Sequence, residues 1–431
     1  MSLLLDVDTV AEYARTALSA VDPAPLDAAA KLEATEVTDG NLNYAWAVRE
    51  ANGKAAVFVK QAPAFIKCLG EGYALHAERL LLESDVHQQY AAIAPDHVPR
   101  FFTCDAARFV MVTEFLEGYE LMRSALRSGS FGARAADDVA RFLSTTHAQT
   151  WARPGSAAAE RWSSVHNEAM CGITAEYVFR KPLDAADATN RFSPELQSQV
   201  AVMRADPSLT HATDELCTIF LERKQCLVHG DLHTGSVMVP AGGADGPAKV
   251  IDAEFAHYGC AAFDVGSFLA HLIFAIIAHA HAPDTAATAA SETPSWPPTE
   301  APRSRLHAMV RSAWAAYAAG MRTAPADRSA PPLGSDEEVA RLLSLSAGFA
   351  GCELTRRVVG AAHVDDLELL PAPRKLRAEK IALAVGAFLT TQAASRSEKK
   401  VLNVDALLVA VDTQVLDAKH AQQAFAIFED M

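Results

Sequence analysis

The chain has no CxxC pair, no run of basic residues, no Gly-x-Gly-x-x-Gly loop and no uninterrupted apolar stretch of about 18 residues. Each absence excludes a class. Its seven cysteines are scattered from Cys68 to Cys352, and the number is odd. That argues against a disulfide framework or a zinc knuckle and for reduced thiols, hence a cytoplasmic location. The most apolar stretch, Phe263 to Ala282, is interrupted by Asp264, His271, His279 and His281, so no transmembrane helix and no membrane partner are expected. Residues Met1 to Asp8 carry acidic side chains and no basic region, which does not read as a secretory signal. A net charge of −15 without a basic stripe argues against a nucleic-acid partner.

What is present is length and apolar content. A chain of 431 residues, half of them hydrophobic, exceeds one ordinary core and predicts two lobes. The first segment, to about residue 30, reads as an amphipathic helix followed by a proline-containing turn. Tyr44–Glu50 and Ala55–Lys60 are β-prone runs joined through Asn52-Gly53. That pair favours a type I′ hairpin turn, whose central residues both need positive φ. Lys60 then falls at a strand end. Ala74 to Tyr90 has helical periodicity, with Leu75, Arg79, Leu82 and Val86 near one face, and Phe109 to Leu116 reads as a buried strand. From Arg134 the pattern is mostly helical, with short strands at Cys226–His229 and Ala248–Asp252. The expectation is an α+β fold: a β-rich lobe over residues 1–116 and a helical lobe over 117–431. Ala282 to Ser304 and Arg322 to Asp336, rich in Ala, Thr, Ser and Pro, read as inserted loops.

The sharpest chemical signal is His229-Gly-Asp231-Leu-His-Thr-Gly-Ser236, followed by Lys249-Val-Ile-Asp252-Ala-Glu254. Phosphoryl transfer needs one carboxylate to orient an attacking hydroxyl and another to hold the magnesium that bridges the phosphates. A loop after one strand supplies Asp231, and the end of the next supplies Asp252. Ser236 stands where protein kinases place an Asn, and Asp-Ala-Glu stands for Asp-Phe-Gly. Hydroxyl and carboxylate oxygens of Ser236, Asp252 and Glu254 suit Mg²⁺. Lys60 reads as the phosphate lysine, with a helical carboxylate as its partner, Glu83 first and Glu78 second. Thr38-Asp-Gly40-Asn41-Leu-Asn43 replaces the glycine loop, since Asn tolerates positive φ and brings donors. Asp264 either caps its helix or braces the catalytic loop; the brace is preferred. His233 is given no catalytic role. Arg356 and Arg357 sit in an apolar helical stretch, where charge is costly unless paired. Adjacent helical residues point about 100° apart, so at most one of the two is expected to face a given site squarely, with a salt bridge open to the second.

Together these residues resemble the methylthioribose kinase family, a branch of the small-molecule kinases. The resemblance runs through Asp39-Gly-Asn-Leu-Asn43, Val59-Lys-Gln-Ala62 with Leu69-Gly-Glu71, and Cys171-Gly-Ile-Thr174 to Val178-Phe179. It continues in the His229–Ser236 and Asp252–Phe255 motifs, Phe263-Asp-Val-Gly266, and Arg356-Arg357 with Gly360 and Ala362-His-Val364. It covers roughly residues 35 to 400. The departures are Thr38 for the family's usual Gly, Ala253 for Pro, and a longer insert at 282–304. The resemblance implies a bilobal protein-kinase-like fold, use of ATP and Mg²⁺, phosphorylation of the 1-hydroxyl of 5-methylthioribose in methionine salvage, and a homodimer. It implies that Asp231 orients and deprotonates the sugar hydroxyl, that Asp252, Ala253 and Glu254 form the metal motif, and that Lys60 with Gly40, Asn41 and Asn43 holds the phosphates. Glu114, Phe115 and Leu116 become the adenine hinge, and Arg356 and Arg357 the substrate-side cations. The alternatives are a kinase of the aminoglycoside, choline or homoserine type, and a pseudokinase acting as a ligand sensor.

Overall fold

The structure is a computed structural model. It describes residues 4–38, 40, 42–68, 70–151, 165–281, 300–323, 331–394 and 403–416. The chain divides into two compact units, Met1–Tyr119 with Lys249–Ala256, and Glu120–Ala248 with His257–Met431. Residues 249–256, placed with the second lobe in the sequence reading, thus belong to the first unit.

The first unit is built on an antiparallel sheet of order β1-β2-β3-β7-β6. Its strands are β1 (Leu32–Glu36), β2 (Tyr44–Glu50), β3 (Ala56–Gln61), β6 (Phe101–Asp105) and β7 (Val110–Glu114). The short pair β4 (Phe65–Ile66) and β5 (Gly70–Ala74) lies apart. Successive side chains on a strand point to opposite faces. On one face Val48, Val57, Val59, Val110 and Val112 join Trp46 and pack with Val10, Ala14 and Leu18 of helix α1 (Val10–Leu18). On the other, Met111 packs with Ala62, Ala77 and Leu80 beside helix α2 (Arg79–Ile93). Lys60 pairs with Met111 across the ladder and so belongs to the α2 face.

Two local expectations change. The β2–β3 turn is not type I′, because Gly53 (φ 72°) has positive φ and Asn52 does not. Gly53 N–H closes on Glu50 C=O and Glu50 N–H on Ala55 C=O, so the loop is longer by a residue at each side, with glycine in the left-handed position. The helix expected from Ala74 starts at Arg79, because Gly70–Ala74 is taken up as β5.

The second unit is mostly helical. The Ala261–His281 helix is its axis, surrounded by the helices Ala135–Thr150, Glu300–Met321, Asp336–Val359 and Ala372–Ala394. Ala261–Ala280 is the one helix among the described residues long and apolar enough to cross a membrane, and its apolar window is wholly buried inside this unit. Residues 300–304, read as loop, are the first turn of a helix, and 282–299 lie outside the described residues. The Asp336–Val359 helix starts at a capping box: Ser335 Oγ accepts from Glu338 N–H while the Glu338 carboxylate accepts from Ser335 N–H. Small residues let the helices approach closely. A Cβ on Gly266 would stand 2.5 Å from Ser346 C=O, and one on Gly351 would stand 2.5 Å from Gly386 C=O.

Candidate active site

In the first unit, charge is collected around Lys60. Its side chain is 8% exposed, and Nζ lies 2.8 Å from the Glu83 carboxylate and pairs with Asp252 Oδ1. Glu83 is buried on the inward face of α2, whereas Glu78 is exposed at its start. Burial alone would lower the pKa of Lys60, but Asp252, Glu83 and Glu254 outweigh it and raise the ammonium's pKa. Burial pushes the Glu83 carboxyl up, to about 8, against the pull of Lys60. Asp252 has left-handed backbone (φ 68°), a conformation costly for a non-glycine residue and typical of functional positions. Its side chain is 47% exposed.

Glu254 behaves differently. It is buried, and its Oε2 accepts from Asn43 Nδ2 at 3.0 Å and from Arg79 Nε at 3.3 Å. Arg79 is the residue that sequence reasoning missed. Its guanidinium also donates to Asn43 Oδ1 at 2.8 Å and to the carbonyls of Leu42, Pro63, Leu75 and His76. An arginine at an apolar position of α2 was the available signal, because such a charge must find partners. Asn43 therefore directs its amide inside the unit, and neither Gly40 nor Asn43 has positive φ. Asn41 lies outside the described residues. Ala253 is buried in the short turn Ala253–Phe255 that packs on α2. At the end of β7, Glu114 N–H donates to Arg100 C=O and its carboxylate accepts from Arg100 N–H. Phe115 lies under the Arg49 guanidinium, and Leu116 is buried.

The fit to Mg²⁺ rests on the donor chemistry. Among the described residues no three His, Cys, Asp or Glu side chains converge as a ready-made metal cage. Magnesium held between protein and phosphates needs only one or two carboxylates, so the half-exposed Asp252 suffices as a hard oxygen donor. The second carboxylate of the motif, Glu254, is engaged by Arg79 and Asn43.

In the second unit, the strand Cys226–Val228 pairs with His257–Gly259 and delivers the loop His229–Ser236. Asp264 braces that loop rather than capping its helix: its carboxylate accepts His229 N–H at 2.7 Å and Gly230 N–H at 2.9 Å, with His147 Nε2 at 3.3 Å. Burial opposes ionisation of Asp264, but His147 and these amides hold its pKa below the ordinary value. Gly230 (φ 82°) makes the turn that presents Asp231. Ser236 is buried and donates from Oγ to Asp231 C=O at 3.1 Å.

Asp231 stands between two donors. Arg356 Nη2 is 3.7 Å from Oδ1, and His233 Nε2 is 3.6 Å from Oδ2. His233 Nδ1 accepts from Gly235 N–H, so the neutral ring keeps its proton on the side of Asp231. Burial lowers the pKa of His233 to about 3 and of the stacked His271 to about 4. Arg356 is the member of the pair that approaches Asp231, and both arginines pair with Glu353. Arg356 Nε meets Glu353 Oε2 at 2.6 Å and Arg357 Nε meets Oε1 at 2.8 Å, and the two side chains are only 13% and 11% exposed. Positions three and four residues on from a helical carboxylate lie on one face, which overcomes the divergence of neighbours.

A profile of the Phosphotransferase enzyme family matches residues 33–322. The chain is 31% identical over 388 residues to "Methylthioribose kinase" of Yersinia pestis (strain Pestoides F), covering 88% of this chain and 90% of that protein. It is 30% identical over 363 residues to the protein of the same name in Bacillus pumilus, covering 82% and 86%. Among solved structures, a choline kinase from Cryptosporidium parvum aligns over 99% of this chain and 97% of that one at 12% identity, with a TM-score of 0.45.

Proposed function

Because the chain belongs to the Phosphotransferase enzyme family, whose relatives mark it as a small-molecule kinase, we propose that it phosphorylates the 1-hydroxyl of 5-methylthioribose from ATP, giving 5-methylthioribose 1-phosphate. Lys60, fixed by Glu83, would hold the ATP phosphates, and Asp252 would be the principal protein ligand of Mg²⁺. Magnesium bound there would supply neutralisation of the phosphate charge. Glu254 and Asn43, joined through Arg79, would hold the Asp252 stretch and the Gly40–Asn43 loop in register. Glu114 to Leu116 would meet adenine through backbone groups. Asp231 would accept the proton of the sugar hydroxyl as its oxygen attacks, with Ser236 and Asp264 holding the loop. The methionine-salvage role, a cytoplasmic site and a homodimer belong to the same proposal.

One observation carries the choice of acceptor: Arg356 stands 3.7 Å from Asp231, and Arg357 is buried with it on the same carboxylate, Glu353. Such a site favours a neutral polyol that acquires negative charge during transfer and disfavours a cationic acceptor such as choline or an aminoglycoside. The test is a coupled ADP-release assay with Mg-ATP and 5-methylthioribose beside ribose, choline, homoserine and kanamycin. Turnover confined to methylthioribose supports the reading. Preference for a cationic acceptor overturns it.

A further inference from the structure

The buried carboxylate of Glu353 has no role in the reading above, yet it gathers the acceptor side together. It is 2% exposed, in the middle of the tightly packed Asp336–Val359 helix. Its two oxygens take three donors: Arg356 Nε at 2.6 Å, Arg357 Nε at 2.8 Å and His271 Nε2 at 3.2 Å. A carboxylate can only accept, so His271 carries its proton on Nε2, and its Nδ1 faces Thr234 Oγ1 at 3.4 Å, inside the catalytic loop. The His271 ring stacks on His233 at 5.0 Å between centroids, and His233 faces Asp231. Glu353 is thus joined to Asp231 along two routes, one through Arg356 and one through the histidine stack.

We infer that Glu353 is the positioning residue of the acceptor side. It ties each arginine by Nε, leaving the outer ends of the guanidiniums to define where an acceptor oxygen and the arriving phosphoryl group are bound. It also removes one of the two positive charges from the balance, so Asp231 is not neutralised outright by its neighbours. The inference rests on the kinase reading but not on which acceptor is used.

The experiment is steady-state kinetics of wild type, Glu353→Gln and Glu353→Asp, with whichever acceptor the wild type phosphorylates. Loss of a group that orients binding residues is expected to lower kcat/KM for the acceptor by about 100-fold in Glu353→Gln, through both KM and kcat, while KM for ATP stays within about twofold. Glu353→Asp, which keeps the charge, should recover about tenfold of that loss. Wild-type acceptor kinetics in a folded Glu353→Gln, or equal rises in both KM values, overturn the inference. If the glutamine variant does not fold, the aspartate variant decides, and unaltered acceptor kinetics in it count against the inference. An acceptor other than methylthioribose overturns the substrate proposal alone. If the wild type turns over no acceptor, the kinase reading fails, and labelling with phenylglyoxal followed by peptide mass spectrometry decides the positioning claim. Arg356 and Arg357 should then label about tenfold faster in a folded Glu353 variant than in wild type, because ordered buried groups are protected; equal rates overturn it.

Discussion

Replacing Lys60 with Met removes the ammonium that contacts both Glu83 and Asp252 while roughly keeping the volume of the side chain. With Lys60 8% and Glu83 3% exposed, solvent screens the pair little. At 2.8 Å and an effective dielectric near 20, the direct attraction is about 6 kcal/mol, and desolvation of both groups offsets much of it. The contact with Asp252, whose side chain is 47% exposed, adds little. Removing one partner of a buried pair costs up to about 3–5 kcal/mol where the other charge is stranded, and less where Glu83, raised by burial, takes up a proton instead. Hydrogen exchange of the β2 and β3 amides reads this locally. A loss of about 3 kcal/mol should speed exchange through unit-wide opening by about a hundredfold. The double variant Lys60→Met, Glu83→Gln strands no charge and should regain at least about half of the loss, since removing both partners of a pair is far cheaper than removing one. If the double variant loses as much as the two single variants added together, the residues are not coupled and the reasoning fails.

If Asp231 is the general base proposed above, Asp231→Asn should lower turnover by about 1,000-fold while ATP binding and the melting midpoint stay near wild type, since its side chain is 30% exposed and its neighbours Arg356 and His233 stand 3.7 and 3.6 Å away; nucleotide titration and calorimetry check the second half. Gly351→Ala should destabilise the second unit by about 3 kcal/mol, because the added Cβ meets Gly386 C=O at 2.5 Å and backbone cannot step aside; urea denaturation measures it. His233 and His271, at about 3 and 4, stay neutral in the folded chain where unfolded histidines, near 6.5, take up protons. Their contribution is therefore present above about pH 6.5 and falls as pH drops towards 4, by about 1.4 kcal/mol per pH unit for each ring. His233→Asn should flatten that part of the stability profile, and an unchanged slope refutes it. Asp264→Asn should loosen the His229–Asp231 amides towards exchange, since a charged acceptor of two N–H groups becomes a neutral one.

The sequence was most legible where neighbours in sequence are neighbours in space. Alternating Val57, Phe58, Val59 and Lys60 marked a strand with Lys60 on one face, and the helix that follows brought Glu83 within reach. The Asn52-Gly53 signal located the hairpin but not its turn type, because the ladder closes at Glu50 and Ala55 and leaves Asn52 in ordinary backbone. Arg79 was visible as a charge in an apolar pattern, yet Glu254 lies far along the chain and nothing local names it. The same holds for His271 and Glu353. The inward turn of both arginines was readable in principle from the Glu353-x-x-Arg356-Arg357 spacing. The sequence reading allowed a salt bridge but did not name Glu353 as the partner of both, because neighbouring positions were weighed against each other rather than against the turn before them.

The crossing at Gly351 and Gly386 has one more consequence. It lies barely a turn ahead of Arg356, so the helix bearing both guanidiniums is seated backbone to backbone on the Ala372–Ala394 helix. The entropic penalty of aligning those cations is met while the chain folds, not when an acceptor arrives. Calorimetry of acceptor binding should accordingly show a small ordering penalty from this side. Variants that accept bulkier acceptors should arise in the segments around these helices before they arise in the helices themselves.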